Sequence, residues 1–251
     1  ENVRNRRDTM LNVMAQMGFI TQEQCIKAKA ELIEVVARNT VQVAPHYKET
    51  IRIFLEKEIG KARLYCGGLT IQTGLNRRTQ NAASKYFKLQ FKALKGRFSD
   101  KIDGGLMSID PQTGQVKAMI GGCSFEQSKF NRALQARRQM GSIFKPLVYA
   151  SAIQQGSSFA DVEEDEPIDL LFEGTVWSPR NHTRAFEGDM TLARALSTSI
   201  NTITAKTFLR AGGNNVVDLA KKCHLSQDLV PFPSLSLGCV DVTIKEAIGA
   251  L

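Results

Sequence analysis

The apolar positions of this chain follow two rhythms. Near the start, Val3, Met10, Val13, Met14 and Met17 recur at helical spacing, which predicts an amphipathic helix over residues 3 to 17. Gly18 ends that pattern, and Thr21-x-x-Gln24 reads as a capping box opening a second helix. Helical spacing returns around Tyr47 to Ile59 and, in a strongly charged form, from Thr79 to Leu94. Between them, Leu69 to Thr73 reads as a short strand. Leu106–Ile109 and Val116–Ile120 are β-prone runs separated by Asp110-Pro111 and Thr113-Gly114, breakers that predict a hairpin. Later, Leu147-Val148-Tyr149-Ala150 is a continuous apolar run, Thr191 to Leu196 is helical, and the acidic run Asp161 to Glu166 reads as a surface loop. No repeat or low-complexity tract occurs. No apolar run is long enough to cross a bilayer or to serve as a secretory leader.

One place in this pattern carries chemistry. In Gly141-Ser142-Ile143-Phe144-Lys145-Pro146 a hydroxyl and an amine stand three residues apart at a predicted helix start, with proline where a first turn tolerates it. At that spacing the two side chains share a helix face. Ser142 becomes a nucleophile if a base removes its proton, and Lys145 can do so if desolvation keeps it neutral. Ser-x-x-Lys alone is not specific. A second constellation, Ser199-Ile200-Asn201, follows 57 residues downstream. Its hydroxyl can relay a proton, and its carboxamide can donate to and accept from a substrate amide. The plainer reading makes it a helix cap before Thr202-Ile203-Thr204-Ala205. The two motifs together favour catalysis.

Taken together, the motifs and their surroundings resemble the transpeptidase domain of class A penicillin-binding proteins. Asp110 to Gly122 resembles that family's first hairpin. Ser128 to Ala133 and Ala136 to Gln139 resemble its approach to the nucleophile. Trp177-Ser178-Pro179-Arg180-Asn181 and Gly188 to Leu192 resemble the lead to the second motif, and Ser236-Leu237-Gly238 with Val242-Thr243 the stretch beyond it. The resemblance covers about residues 104 to 251. It implies an α+β fold of the penicillin-binding-protein and serine β-lactamase type, helices around an antiparallel sheet, truncated before the later strands. It divides the chain into the helical C-terminal end of a glycosyltransferase domain (1–44), a linker region (45–103) and the N-terminal portion of the transpeptidase domain (104–251). The chain is therefore expected to be an internal fragment.

The roles implied are those of a D,D-transpeptidase. Ser142 would attack the penultimate D-alanine of a D-Ala-D-Ala peptidoglycan stem, with Lys145 as base. Ser199 would pass the proton to the departing amine, and Asn201 would bind and orient the donor peptide. β-Lactam antibiotics would acylate the same serine, and cell-wall synthesis or division proteins are candidate partners. The site would lie on the extracytoplasmic (periplasmic) face of the bacterial inner membrane, anchored by a segment outside this chain, and the full-length protein would also be a peptidoglycan glycosyltransferase. Two departures stand out. The family's third motif, Lys-Thr/Ser-Gly, is not in this sequence, since Thr73-Gly74 and Thr113-Gly114 each follow glutamine. Ile143 also stands where relatives often carry a small polar residue. The isolated chain is therefore expected to be inactive. Two alternatives remain: a D,D-carboxypeptidase or β-lactamase-like hydrolase, and a catalytically silent cell-wall scaffold.

Composition changes this picture little. The chain has 251 residues, 43% of them hydrophobic, enough for a sizeable core. A net charge of +8 suits an anionic polymer or membrane surface. Base-stacking aromatic interleaving is not evident, so no nucleic acid is expected. Cys25, Cys66, Cys123, Cys223 and Cys239 are expected to be mostly buried thiols without a disulfide. His46, His182 and His224 lack zinc-site spacing, so no metal or other cofactor is expected.

Overall fold

The computed structural model describes residues 2–33, 43–99, 101–225 and 229–251. The chain divides into two compact units, residues 1–42 and 43–251. In the first, α1 (Asn2–Gln16) ends as its glycine predicts. Gly18 adopts φ +76°, its N–H reaches Ala15 O at 3.2 Å and Phe19 N–H reaches Met14 O at 2.9 Å, so orphan carbonyls of the last turn are satisfied. Helix α2 (Gln22–Ala30) opens on the expected capping box: Thr21 Oγ1 accepts from Gln24 N, and Gln24 Oε1 from Thr21 N. Arg7 then donates to the carbonyls of Lys29 and Glu31 at the far end of α2. The apolar face predicted for α1 is only a sequence pattern here, since Val3, Met10, Val13 and Met17 are exposed. Residues 34–42 of the expected helical run to residue 44 lie outside the described residues.

The second unit begins with α3 (Pro45–Ile59) and α4 (Lys61–Cys66), separated by Gly60 at φ +78°. The strand expected at Leu69 to Thr73 is not formed. Among the described residues no neighbouring strand takes its backbone hydrogen bonds. Ile71, Thr73 and Leu75 instead face α3 and α4 across a cavity of about 400 Å³, also lined by Tyr47, Ile51 and Leu64.

Helix α5 (Arg77–Arg97) is capped by Asn76, whose Oδ1 accepts from Thr79 N. It is joined to the hairpin β1 (Leu106–Ile109) and β2 (Val116–Ile120) by buried Gln80, whose Oε1 accepts from Met119 N at 2.8 Å. The hairpin is antiparallel, with Leu106 opposite Ile120 and Met107 opposite Met119. Its turn closes through Gly114, at φ +67°, donating to Asp110 O.

Helix α6 (Arg132–Gln135) leads into β3 (Arg138–Gln139), a 3₁₀ turn (Gly141–Phe144) and α7 (Lys145–Gln154). The acidic run read as a surface loop is in fact strand β4 (Val162–Asp165). It is followed by the hairpin β5 (Leu170–Phe172) and β6 (Thr175–Trp177), then β7 (Gly188–Thr191) antiparallel to β4. Strand alternation explains why acidic residues suit β4: Val162 and Glu164 face outward, Glu163 and Asp165 inward. Glu163 meets Lys206 and Arg210, so the pattern that looks solvated along the chain is paired in space.

Helices α8 (Leu192–Ser197), α9 (Asn201–Ala211) and α10 (Gly213–Lys222) follow, then a 3₁₀ turn (Pro233–Leu237), β8 (Asp241–Val242) and α11 (Ile244–Gly249). The main core is built where α7 crosses α9: Phe144, Leu147, Val148 and Ala152 pack with Ile203, Phe208, Val216, Leu225 and Leu235. Burying a side chain of this size stabilises the fold by about 1.5–3 kcal/mol. The described strands form four separate two-stranded antiparallel sheets. The expectation that most of the cysteines are buried fails. Cys25 is buried, Cys123 and Cys223 are half-buried, and Cys66 and Cys239 are exposed, because they sit at helix ends and loops.

Candidate active site

Both sequence motifs lie where the central helices begin. Strand β3 pairs with β8, and the ladder continues through Met140 N to Val240 O and Gly141 N to Gly238 O. At Gly238 the backbones are so close that a Cβ would collide with the Gly141 carbonyl, and its φ of +73° also disfavours any other residue. This contact fixes the entry to the 3₁₀ turn. Within it the Lys145 N–H donates to Ser142 O. In 3₁₀ geometry residues i and i+3 eclipse, so both residues leave the backbone on one side of the turn. The helix predicted between them is thus a 3₁₀ turn running into α7.

Ser142 and Lys145 differ sharply in environment. Ser142 is exposed, whereas Lys145 is 1% exposed. The Lys145 amine points at the second motif: Nζ lies 2.7 Å from Ser199 O, 3.1 Å from Ser199 Oγ, 3.3 Å from Ile200 O and 2.7 Å from Asn201 Oδ1. Three N–H groups thus meet four oxygens. Burial pushes the amine down from its ordinary range to about 8. No hydrogen bond joins Nζ to Ser142 Oγ. The structure therefore brings Lys145, Ser199 and Asn201 together, with Ser142 at the rim on the same turn.

The second motif owes its shape to its backbone. Ser199 adopts φ +60°, unusual for a residue with a side chain. Ile200 is extended, and Asn201 is the first residue of α9. The cap reading of Ser-Ile-Asn is thus correct in position, but the capping residue is Ile200, which has no side-chain acceptor. Sequence reasoning missed the groups that compensate. Asn201 N donates to Asn181 Oδ1 at 2.9 Å, and Asn201 Nδ2 to Arg180 O at 2.8 Å. The only signal for these was that Trp177 to Asn181 formed part of the resemblance. Ile143 is half-exposed beside Ser142 and takes no part in the core. His46 is buried, with Nε2 3.3 Å from Ser128 O and its ring edge-on to Phe125, a packing role. Among the described residues no group of His, Cys, Asp and Glu side chains could hold a metal ion, and no helix is long and apolar enough to cross a membrane.

A serine thus stands at the head of a buried helix, a desolvated lysine one turn on, and a Ser-x-Asn segment across from that lysine. The chain belongs to the penicillin-binding protein transpeptidase family, whose domain matches residues 104–241. Among individual relatives, it is 30% identical to penicillin-binding protein 1B of Vibrio cholerae over 250 residues, covering 97% of this chain and 32% of that protein. It is 38% identical to penicillin-binding protein 1A of Pseudomonas aeruginosa over 148 residues, covering 58% of this chain and 18% of that one. The chain thus spans about a third or less of the length of these relatives. In fold it matches the crystal structure of penicillin-binding protein 1A from Haemophilus influenzae with a TM-score of 0.79 at 21% identity, over 98% of this chain and 51% of that one. It also matches Mycobacterium tuberculosis PonA1, solved in complex with penicillin V, with a TM-score of 0.65 at 24% identity, over 83% of this chain and 58% of that one.

Proposed function

We propose that the intact protein carrying this chain is a peptidoglycan D,D-transpeptidase. The observation that carries the reading is the buried Lys145 amine, lowered to about 8 and held on Ser199 and Asn201 within one turn of Ser142. A neutral lysine is a competent base near neutral pH. To act on Ser142, the amine exchanges one of its present oxygen partners for Ser142 Oγ.

The step then balances as follows. Lys145 takes the Ser142 proton as Oγ bonds to the carbonyl carbon of the penultimate D-alanine. The tetrahedral oxyanion receives the Ser142 N–H, a donor worth roughly 3 kcal/mol in comparable sites. Collapse breaks the amide bond. The departing D-alanine nitrogen receives a proton through Ser199, whose hydroxyl already lies 3.1 Å from Lys145 Nζ. Asn201 orients the donor peptide through its carboxamide. An amine from a neighbouring stem then attacks the acyl-enzyme, regenerating Ser142 and forming the cross-link. A β-lactam, whose strained amide mimics the stem, acylates Ser142 in the same way.

The compact unit ending at residue 42 supports reading the start of the chain as the end of an upstream domain, here a glycosyltransferase (1–44), followed by a linker (45–103) and the transpeptidase portion (104–251). A peptidoglycan substrate would place the whole protein on the extracytoplasmic face of the membrane, anchored by a segment outside this chain.

The test is intact-mass spectrometry of the full-length protein after exposure to a fluorescent penicillin, beside a Ser142→Ala control. A covalent adduct on wild type that is lost in the control is the expected result. Absence of an adduct on well-folded wild-type protein refutes the proposal.

A further inference from the structure

Beneath the second motif lies a buried polar cluster that none of these roles uses. Asp165, the last residue of β4, is 1% exposed. Its carboxylate accepts from Asn181 Nδ2 through both oxygens, at 2.8 and 3.0 Å, from Glu187 N at 2.9 Å, and from the Thr202 hydroxyl. Asn181 is buried too, and its other side-chain atom, Oδ1, receives the Asn201 N–H. A carboxylate this deep is tolerated only when its oxygens are filled by donors, and here four donor contacts fill them.

The cluster answers a need set by the local sequence. Helix α9 begins with unsatisfied N–H groups, and its capping residue Ile200 cannot fill them. Asn181, 20 residues upstream, supplies the missing acceptor from another segment. Asp165 orients Asn181 by accepting from its side-chain amide, which also donates to Ala185 O at 3.1 Å, and adds negative charge near the positive end of the helix. From the opposite side, Lys145 grips the carbonyls of Ser199 and Ile200 and the Asn201 carboxamide. Residues 199 to 202 are therefore clamped between a buried amine and a buried carboxylate. The clamp holds Ser199 at φ +60°, a strained conformation for a residue with a side chain that would relax if unsupported.

We infer that Asp165 and Asn181 are positioning residues for acylation: they fix the backbone and carboxamide of Asn201, and so the oxygen set that receives the Lys145 amine. This rests on the transpeptidase reading above. Neither residue reaches the solvent face where a stem peptide would lie, so their effect passes through Asn201 and Thr202.

The experiment measures acylation of the intact protein by a fluorescent penicillin, separating the rate constant per site from the fraction of sites that react. Asp165→Asn, Asn181→Ala and Thr202→Val are compared with wild type, and folding is monitored by circular dichroism. Misplacing catalytic groups by about 1 Å costs on the order of 100-fold. Asn181→Ala is accordingly expected to slow acylation by roughly 10- to 100-fold with the reactive fraction unchanged, and Thr202→Val by less. If Asp165→Asn fails to fold, the other two variants decide the matter. Variants that react at the wild-type rate overturn the inference. So does a reduced reactive fraction with an unchanged rate, which would mark a role in stability alone. Wild-type protein that forms no Ser142-dependent adduct overturns the transpeptidase reading, and this inference with it.

Discussion

Because Lys145 is buried and its amine lowered to about 8, one proton should govern both reactivity and stability. If the neutral amine is the base, the acylation rate follows its population: about 1% at pH 6, about 9% at pH 7 and half at pH 8. The rate constant for penicillin acylation of the intact protein should therefore rise roughly tenfold from pH 6 to 7, about fivefold from 7 to 8, and level off above 9. Stability should change in the same direction. Below pH 8 both folded and unfolded chains carry the charged amine, and the folded state bears its burial cost. Between about 8 and the ordinary lysine value near 10.4, the folded chain has released the proton while the unfolded chain keeps it, so stability rises with pH. At 1.36 kcal/mol per unit the gain from pH 7 to 9.5 is at most about 2 kcal/mol. The four oxygens around Nζ favour the ammonium, which makes this an upper bound. Urea unfolding of wild type and Lys145→Met across that range isolates the contribution, since other titrations cancel in the difference. An acylation rate that is flat or falls between pH 6 and 8, with wild-type stability tracking Lys145→Met, would refute a desolvated lysine base.

Two further outcomes test the surrounding structure. Ser151 Oγ is buried without a hydrogen-bond partner in α7, so Ser151→Ala should stabilise the protein, by up to about 1 kcal/mol in urea midpoint experiments, with acylation unaltered. Gly238→Ala places a methyl against the Gly141 carbonyl at a left-handed φ; it should lower stability by about 1–3 kcal/mol in thermal unfolding and slow acylation, because the turn carrying Ser142 is displaced.

Local signals in this sequence act within a few residues, and those were legible. Gly18, the Thr21–Gln24 box and the Asp110–Gly114 turn specify their geometry through hydrogen bonds that close within one turn, and the structure forms each of them. Ser142 and Lys145 could likewise be paired from their spacing. The misreadings arose where a distant partner decides the outcome. Leu69 to Thr73 has strand composition but, among the described residues, no strand to pair with, and so packs on helices. Asp161 to Glu166 looks solvated along the chain, yet β7 takes its backbone, Lys206 and Arg210 take Glu163, and Asn181 and Thr202 take Asp165.

The division holds at the site itself. Sequence alone determined which groups are available: a hydroxyl, an amine, a second hydroxyl and a carboxamide, at spacings compatible with one pocket. Only the tertiary structure decided that the amine is buried, that it turns toward Ser199 and Asn201, and that Asp165 and Asn181 brace the far side of the same segment. The physical reason is that desolvation and long-range capping depend on residues tens of positions apart. A side chain's identity is written in the sequence, but the dielectric around it and the partners of its hydrogen bonds are set by the packing of α7 against α9.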